Sequence, residues 1–343
     1  MSLSSLMAGA RKERILSSKQ FRDGAFRNTS GAKPELRSNS FSLLGEYARA
    51  KDRTPSSPIP TVDPREVWTK RTTGLRVTWL GHSTVLLELD GLRILTDPVF
   101  GDRASPVDFA GPKRFFAPPV PLHTLTDIDL VLLSHDHYDH LCEASIRTIA
   151  SFRAPIVTSL GVGARLESLG IPAKRIVELD WWESKEVPDA RLRISATPAQ
   201  HFSGRGIGDG NKTLWSSWVL ESEHTRVFFS GDTGLTPEFK EIHQRFGNFD
   251  LTMLEVGAFH PAWGSIHLGP DNAASAFEML GGGTLLPVHW GTFNLALHPW
   301  KEPVERLLEL AKEKDLRVLF PKPGECFLPS EVEIVTPWWR GLS

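Results

Sequence analysis

The sequence predicts a mixed α/β (α+β) fold, and three patterns support this prediction. Apolar, β-branched runs of strand length alternate with stretches of helical periodicity from residue 75 onward. The dipeptide Asp90-Gly91 separates two such runs and is typical of a tight β-hairpin turn. The chain of 343 residues is 40% hydrophobic, which is enough to bury a sizeable core.

Residues 1–70 differ in amino-acid composition from the rest of the chain. They are rich in Ser, Arg and Pro, and the stretch "DRTPSSPIPTVDPREVW" repeats proline, which interrupts helices and central strands. We therefore predict two units, an extended N-terminal arm at 1–70 and one ordered domain at 71–343.

The elements of the ordered domain follow one another along the chain. "LRVTWLGHSTVLLELDGLRILT" predicts strands around a hairpin, and strands then alternate with helices up to "RLRISATPAQ". "LWSSWVLESEHTRVFFSG" predicts a second hairpin. The last third predicts a helix at "PEFKEIHQRFG", a strand at "FDLTMLEVG", a helix at "GPDNAASAFEML", a strand at "TLLPVHWG" and an amphipathic helix at "EPVERLLELAKEKD".

The composition of the chain argues against several classes of function. Lys and Arg number 39 against 41 Asp and Glu, so the net charge of −2 gives no reason to expect nucleic acid as a partner. Only two cysteines occur, which excludes a disulfide-rich scaffold. The N-terminus lacks the apolar core of a signal peptide, and no run of about 18 apolar residues occurs. We therefore expect a cytoplasmic or peripheral membrane protein.

Residues that can bind metals stand where four apolar strands end. "DLVLLS" leads to His135, "LRISATPAQ" to His201, "RVFFSG" to Asp232 and "TLLPV" to His289. Loops at the ends of buried strands are held rigidly enough to place metal ligands. We therefore expect the four strand ends to converge.

The first of these strand ends carries the motif HxHxDH, which comprises His135, His137, Asp139 and His140. A turn after a strand can direct the first pair to one ion and the second pair to another. Imidazole with carboxylate suits zinc, with iron and manganese as alternatives. For two ions, the first set is His135, His137 and His201, the second set is Asp139, His140 and His289, and Asp232 bridges them. The alternative, a solvated polar loop, is disfavoured by the apolar strand that precedes each ligand.

Two other motifs each lack a required residue. "GRGIGDGNKT" does not have Gly directly before Lys, as a phosphate-binding loop needs, because Asn211 intervenes. "GHSTV" has Val85 where a nucleophile elbow needs Gly. Ser83 is therefore predicted to be a turn residue packed near the metal layer rather than a covalent nucleophile.

The HxHxDH motif resembles that of the metallo-β-lactamase superfamily. His137 stands where the flavodiiron branch has an acidic residue, so the resemblance implies hydrolysis rather than redox chemistry. Ten blocks, from "WLGHSTVLLE" and "TDPVFGDRASPVDFAGPKRF" to "GAFHPAW" and "HWGTF", also occur in the order found in the N-acyl-phosphatidylethanolamine-hydrolysing phospholipase D group, and "FRDGAFRN" is a weaker upstream match. The chain is identified as a bacterial member of that group.

The resemblance implies a four-layer αβ/βα sandwich with two Zn²⁺ at the strand ends, held by the two sets and the bridge given above. It implies catalytic roles for Asp139 and Asp232 through metal ligation, and it places His267 of "SIHLGPDNA" near the reacting phosphate. It also implies a phospholipid or phosphodiester substrate, peripheral contact with a membrane, and a homodimer. Asp136, where the animal enzyme has Asn, and the divergent loop "FSGRGIGDGN" leave the acyl and head-group preferences open.

Three functions are compatible with the sequence. The leading hypothesis is a dinuclear, phospholipase D-like phosphodiesterase that releases N-acylethanolamine and phosphatidate from N-acyl-phosphatidylethanolamine. The second is a hydrolase of the same fold acting on a lactone, a β-lactam or a soluble phosphodiester. The third is a catalytically silent metal-binding protein, which the complete ligand set disfavours.

Overall fold

The structure is a computed structural model that describes residues 7–32, 45–46, 49–187, 191–331 and 336–342. Two large β-sheets occupy its centre, and helices lie on their outer faces. Within the described ranges, no helix is both long and apolar enough to cross a lipid bilayer.

The described residues contain the following strands and helices. The strands are β1 (Phe21–Arg22), β2 (Ala25–Phe26), β3 (Leu75–Gly81), β4 (Thr84–Leu89), β5 (Leu92–Thr96), β6 (Leu130–Leu133), β7 (Ile156–Ser159), β8 (Ile176–Leu179), β9 (Ser184–Val187), β10 (Leu192–Thr197), β11 (Ser217–Glu221), β12 (Arg226–Phe229), β13 (Leu251–Glu255), β14 (Leu285–Val288) and β15 (Cys326–Phe327). The α-helices are α1 (Gly9–Ser17), α2 (Glu143–Ile149), α3 (Gly163–Ser168), α4 (Glu238–Phe246), α5 (Gly269–Met279) and α6 (Glu302–Glu313). The helices and strands predicted in the last third are thus confirmed.

The long strands form two sheets. In the first the order is β15-β3-β4-β5-β6-β7-β8, antiparallel up to β5 and parallel from β5 to β8. In the second the order is β14-β13-β12-β11-β10-β9, with β12, β13 and β14 parallel and the other pairs antiparallel. Both predicted hairpins are confirmed, and Asp90 and Gly91 close the first with left-handed φ angles of 49° and 85°.

The two sheets pack face to face, and each is covered by helices on its other side. Trp79 of the first sheet and Phe229 of the second are both fully buried in the core between the sheets. The next residue along β3, Leu80, points the opposite way and packs in a second core with Ile146 of α2. Phe277 of α5 covers the outer face of the second sheet. This order of helix, sheet, sheet and helix confirms the predicted four-layer sandwich.

Helix α6 shows how the sequence pattern places a helix on the outside of the sandwich. Val304, Leu307 and Ala311 recur at spacings of three and four residues and are buried in the main core. Arg306 and Glu309 lie on the exposed side and form an ion pair at 3.2 Å. Each fully buried leucine or valine contributes roughly 1.5–3 kcal/mol, whereas such a surface pair contributes about 0–1 kcal/mol. The apolar stripe therefore determines the placement.

The segment predicted as an extended arm contains regular structure near its start. Helix α1 and the small β1–β2 hairpin pack on the sandwich, with Ile15 and Phe26 buried against Trp215. The first proline of the chain is Pro34, so nothing before it interrupts a helix. Residues 51–64, where prolines recur, form neither helix nor strand. The domain boundary at residue 70 stays a prediction.

The strand ends that carry the predicted ligands meet at one edge of the sandwich. Parallel pairing of β12, β13 and β14 places Asp232, Glu255 and His289 at neighbouring strand ends. Strand β6 of the first sheet ends just before His135, which lies 3.9 Å from Asp232 across the two sheets. The expected convergence is therefore present, and it brings both sheets to one site.

Candidate metal centre

The first predicted ligand set forms a compact cluster. His137 Nδ1 lies 2.9 Å from His135 Nε2 and 3.2 Å from His201 Nε2. Asp232 Oδ2 lies 3.9 Å from His135 Nε2 and 3.7 Å from His201 Nε2. Donor atoms of all four residues lie within 4.8 Å of one another. Because zinc–ligand bonds are about 2 Å long, one ion can reach all of them.

The second predicted set lies beside the first and shares Asp232. His289 Nε2 lies 3.2 Å from Asp139 Oδ2 and 3.2 Å from Asp232 Oδ2. His140 Nε2 lies 3.1 Å from Asp232 Oδ1 and 3.6 Å from Asp139 Oδ2. The two oxygens of Asp232 are thus both in contact with this set, while Oδ2 also faces the first. A carboxylate in this position can bridge two ions.

Unpaired polar atoms in the cluster fit a bound cation. His140 Nε2 and Asp232 Oδ1 are buried and lie 3.1 Å apart, but in that geometry neither atom makes a hydrogen bond with any residue that the structure describes. A buried polar atom without a partner costs roughly 1–3 kcal/mol. Coordination of one ion by both atoms would remove this cost, so the residues present fit a metal ion.

Hydrogen bonds outside the cluster orient the imidazole rings of His140 and His201. His140 Nδ1 lies 2.6 Å from the fully buried carboxylate of Asp97, which also accepts the backbone N–H of Ser134 at 2.7 Å and its hydroxyl at 2.6 Å. His201 Nδ1 lies 3.0 Å from the carbonyl oxygen of Ile266. Because Nδ1 of each ring is engaged, Nε2 is left to face an ion.

Asp97 and His82 also belong to the site, although neither was predicted from the sequence. Asp97 follows β5 directly, as the metal motif follows β6, so the strand-end pattern was the available signal. His82 follows β3, and its Nε2 lies 3.2 Å from Asp139 Oδ2. Its φ of 53° is left-handed, and its backbone N–H donates to Thr292 Oγ1 at 2.6 Å. Strained backbone of this kind persists mainly at functional sites.

The N-terminal arm contributes Asn28. Its Nδ2 donates to the carbonyl oxygen of His201 at 2.8 Å, and its Oδ1 accepts the backbone N–H of His201 at 3.0 Å. The same Oδ1 accepts from Trp215 Nε1 at 3.1 Å. Asn28 is buried and ends the block "FRDGAFRN", which was the only sequence signal for it. It fixes the backbone that carries His201.

Replacing Asn28 by alanine is expected to weaken metal binding about 10- to 100-fold, because the loss of outer support for a ligand usually has this effect. Competition for Zn²⁺ with a chromophoric chelator measures the change. Asn272→Ala, on the exposed side of α5, is the matched control and should bind as the unaltered protein does. Equal affinity in the Asn28 and Asn272 variants would show that Asn28 does not support the site.

In the metal-free protein, the carboxylates of the cluster influence which of its histidines carry a proton. Burial lowers the pKa of His289, but the carboxylates of Asp232 and Asp139 outweigh it and raise that pKa to about 10. Burial also opposes charge on His140, and the same two carboxylates hold its pKa well above the usual value. Both histidines are therefore protonated at neutral pH when no ion is bound.

Metal binding is consequently expected to release protons and to strengthen as the pH rises. His140 and His289 each carry a proton below their raised pKa values, and each must lose it before Nε2 can bind an ion. Calorimetric titration with Zn²⁺ in buffers of different ionisation enthalpy counts the protons released. A dissociation constant that does not change between about pH 6 and pH 8 would contradict this picture.

His267 lies in the wall of the pocket and is held by a fully buried glutamate. Its Nδ1 lies 2.8 Å from Glu255 Oε2, while Glu255 Oε1 accepts the backbone N–H of Thr233 at 2.8 Å. Burial opposes a charge on His267, but the carboxylate of Glu255 outweighs it and raises the pKa of the imidazole. His267 was predicted as a site residue, whereas Glu255, at the end of β13, was not.

The donor clusters line a pocket of about 450 Å³. Its polar lining consists of His137, Asp139, His201, Asp232, His267 and His289. Its other walls are mainly apolar and include Phe202, Trp263, Ile266 and Leu295. A pocket of this kind binds the apolar part of a ligand in its walls and orients the reacting group with a few polar atoms.

The remaining predictions fall outside the pocket. Ser83 is fully buried beside His82, as expected of a packed turn residue. Asp136 and Tyr138, on either side of His137, contact the loop at 203–211 instead of the pocket. Of the divergent loop that was expected to border the pocket, only Phe202 lines it.

Known proteins resemble this chain in sequence or in fold. The family model described as "Beta-lactamase superfamily domain" matches residues 92–290. An uncharacterised protein of Mycobacterium tuberculosis is 45% identical over 333 residues, which cover 94% of this chain and 88% of that protein. N-acyl-phosphatidylethanolamine-hydrolysing phospholipase D 1 of Caenorhabditis elegans is 40% identical over 253 residues, 71% of each chain. The isothiocyanate hydrolase from Delia radicum gut bacteria has the same fold, with a TM-score of 0.59, 24% identity, and coverage of 74% of this chain and 98% of that one.

The family model spans more than half of the chain and includes the strand ends of the HxHxDH motif, Asp232 and His289. The 45% identity extends over nearly all of the sequence. The donor clusters at these strand ends are able to hold metal ions. On these grounds the chain belongs to the metallo-β-lactamase superfamily and is a metal-dependent hydrolase of that family.

Proposed function

We propose that this hydrolase is a dinuclear phosphodiesterase of the phospholipase D type, which cleaves N-acyl-phosphatidylethanolamine into N-acylethanolamine and phosphatidate. The observation that carries the proposal is a pocket with two metal-donor clusters beneath apolar walls. The relative from C. elegans, which is named for this activity, supports the substrate class. A phospholipid substrate requires contact with a lipid surface, so the proposal includes peripheral membrane contact.

The proposed ions are two Zn²⁺, with iron or manganese as alternatives. The first would be held by His135, His137 and His201, the second by Asp139, His140 and His289, and both by Asp232. Ions of this kind lower the pKa of water to about 7 and stabilise negative charge on phosphate oxygens.

Side chains of the protein itself would position the reacting groups and donate a proton to the leaving oxygen. Asp139 and Asp232 line the pocket and would hold the ions that bind the phosphate. His267 Nδ1 is engaged by Glu255, so Nε2 is the ring atom that can donate to a substrate. Water adds its oxygen to phosphorus and releases one proton to solvent, the bond from phosphorus to the head-group oxygen breaks, and His267 gives its proton to that oxygen and is reprotonated from solvent.

Apolar side chains around the pocket would exclude water and bind the acyl part of the substrate. Phe202, Trp263 and Leu295 come from three separate loops of the second sheet's edge. Each methylene group that these walls remove from water is worth roughly 0.8 kcal/mol. A substrate with long acyl chains therefore gains binding energy that a soluble phosphodiester does not.

The test offers the Zn²⁺-loaded protein N-acyl-phosphatidylethanolamine in vesicles, bis(p-nitrophenyl) phosphate, a lactone and a β-lactam. We expect phosphatidate and N-acylethanolamine from the lipid, identified by mass spectrometry, with a higher kcat/KM than for the other three. Turnover of one of those three without cleavage of the lipid would contradict the substrate. Binding of both ions without turnover of any compound would indicate a silent metal-binding protein.

A further inference from the structure

Four charged side chains join the metal motif to the loop that follows His201. We call Asp136, Arg165, Arg205 and Asp209 the ionic clamp. The side chain of Asp136 is 0% exposed, and those of Arg165 and Asp209 are 17% and 16% exposed. A carboxylate buried so deeply is tolerated only when it is paired and hydrogen-bonded.

Both oxygens of Asp136 are engaged. Oδ1 accepts a hydrogen bond from the backbone N–H of Gly204 at 2.9 Å, and Oδ2 accepts one from Nε–H of Arg165 at 3.1 Å. Arg165 in turn forms an ion pair with Asp209 through Nη2. Asp136 therefore connects the metal motif directly to the start of the loop, and through Arg165 to its far side.

The loop side of the clamp contacts the motif a second time. Asp209 accepts the backbone N–H of Arg205, with both oxygens at 3.2 Å. The guanidinium of Arg205 donates to the carbonyl oxygens of Asp136 and Leu141, both at 2.8 Å. It also lies 3.7 Å from the centre of the Tyr138 ring. Arg205 thus contacts the backbone of the motif on both sides of His137, Asp139 and His140.

The position of the clamp matters because of the two histidines that it connects. Asp136 and Tyr138 are the sequence neighbours of His137, and the loop that they hold begins directly after His201 and Phe202. His137 Nδ1 and His201 Nε2 lie 3.2 Å apart in the first ligand set. Metal sites need their ligands held to within about 0.5 Å. The loop is also joined to Glu143, just after the motif, by an ion pair with Arg205 at 3.2 Å.

We propose that the ionic clamp is a positioning device for the first metal site, in which Asp136 sets the affinity of that site by holding His137 against the His201 loop. The inference rests on the metal centre of the proposed function and not on its substrate. Loss of the charge on Asp136 would leave Arg165 paired with Asp209 alone, and only the hydrogen bond from Gly204 would still join the Asp136 side chain to the loop.

The test is Co²⁺ binding by Asp136→Asn protein. Asparagine has the same shape and can still accept from Gly204, so it removes the charge and little else. The dissociation constant of one of the two Co²⁺ ions is expected to rise about 10-fold or more, with a change in its visible absorption, while the other binds normally. Arg165→Gln should also weaken binding, and the double variant should lose no more than Arg165→Gln alone, because that variant already removes the contact of Arg165 with Asp136.

The control is Arg306→Gln, which breaks an ion pair with Asp271 on the outer helices and should leave Co²⁺ binding unchanged. Unaltered affinity and absorption in folded Asp136→Asn and Arg165→Gln proteins would overturn the proposal. If Asp136→Asn does not fold, unaltered affinity and absorption in folded Arg165→Gln protein would overturn the proposal by itself, because that variant also breaks the ion pair of Asp136. Because no substrate is used, these results do not depend on which ester is cleaved.

Discussion

Asp232→Asn protein is expected to lose at least about 10³-fold in turnover. The oxygens of Asp232 lie between the two ligand sets, 3.1 Å from His140 Nε2 and 3.2 Å from His289 Nε2. An amide nitrogen in place of one oxygen cannot coordinate an ion, so a carboxylate bridge is lost while the shape of the side chain is kept. Charge stabilisation by a catalytic ion is worth several kcal/mol, and about 4 kcal/mol corresponds to 10³-fold in rate.

Steady-state kinetics with the lipid substrate and elemental analysis of the same preparation measure this effect. Asp271→Asn is the matched control, since Asp271 is an exposed aspartate on α5 that pairs with Arg306. The control should keep full turnover and metal content. An Asp232→Asn protein that binds two ions and turns over normally would remove the bridging role.

Glu255→Gln protein is expected to lose about 10²-fold in kcat and to lose its activity at lower pH than the unaltered protein. Burial disfavours a charge on His267, and the Glu255 carboxylate 2.8 Å away is what raises the pKa of that imidazole. A group that donates a proton acts below its pKa, so activity falls as the pH rises through that value. Without the carboxylate the pKa falls, and the decline in rate moves to lower pH.

The pH dependence of kcat tests this role, and the leaving group provides a second readout. A p-nitrophenyl ester needs no proton on its leaving oxygen, so the variant should lose much less activity on it than on the lipid. Glu278→Gln, which breaks an exposed contact with Lys314 on the outer helices, is the control. An identical pH profile in both variants would mean that Glu255 does not act through His267.

The sequence was sufficient to predict the residues that lie next to strand ends. HxHxDH, His201, Asp232 and His289 each follow a mainly apolar strand, and parallel pairing of β12, β13 and β14 brings together the strand ends that carry Asp232 and His289. The four-layer order was implied by the family resemblance and not by periodicity; in the structure, alternation along β3 places Trp79 and Leu80 in different cores.

Residues that act through hydrogen bonds over long chain distances were not predictable. Asn28 is 173 positions from His201, and Glu255 reaches His267 only because β13 lies beside the entry to α5. Neither contact follows from periodicity or composition. Asp136 is unusual in the sequence, but its role depends on Arg165 and Asp209. These residues are brought together with it only in the folded chain.

Attack of water on phosphorus is tested most directly by following the oxygen atom of water into the products. The Zn²⁺-loaded protein is incubated with N-acyl-phosphatidylethanolamine in H₂¹⁸O, and the products are weighed by mass spectrometry. One ¹⁸O atom is expected in the phosphate of phosphatidate and none in the N-acylethanolamine. Label in the N-acylethanolamine or in a free fatty acid, or no cleavage at all, would contradict the proposed reaction.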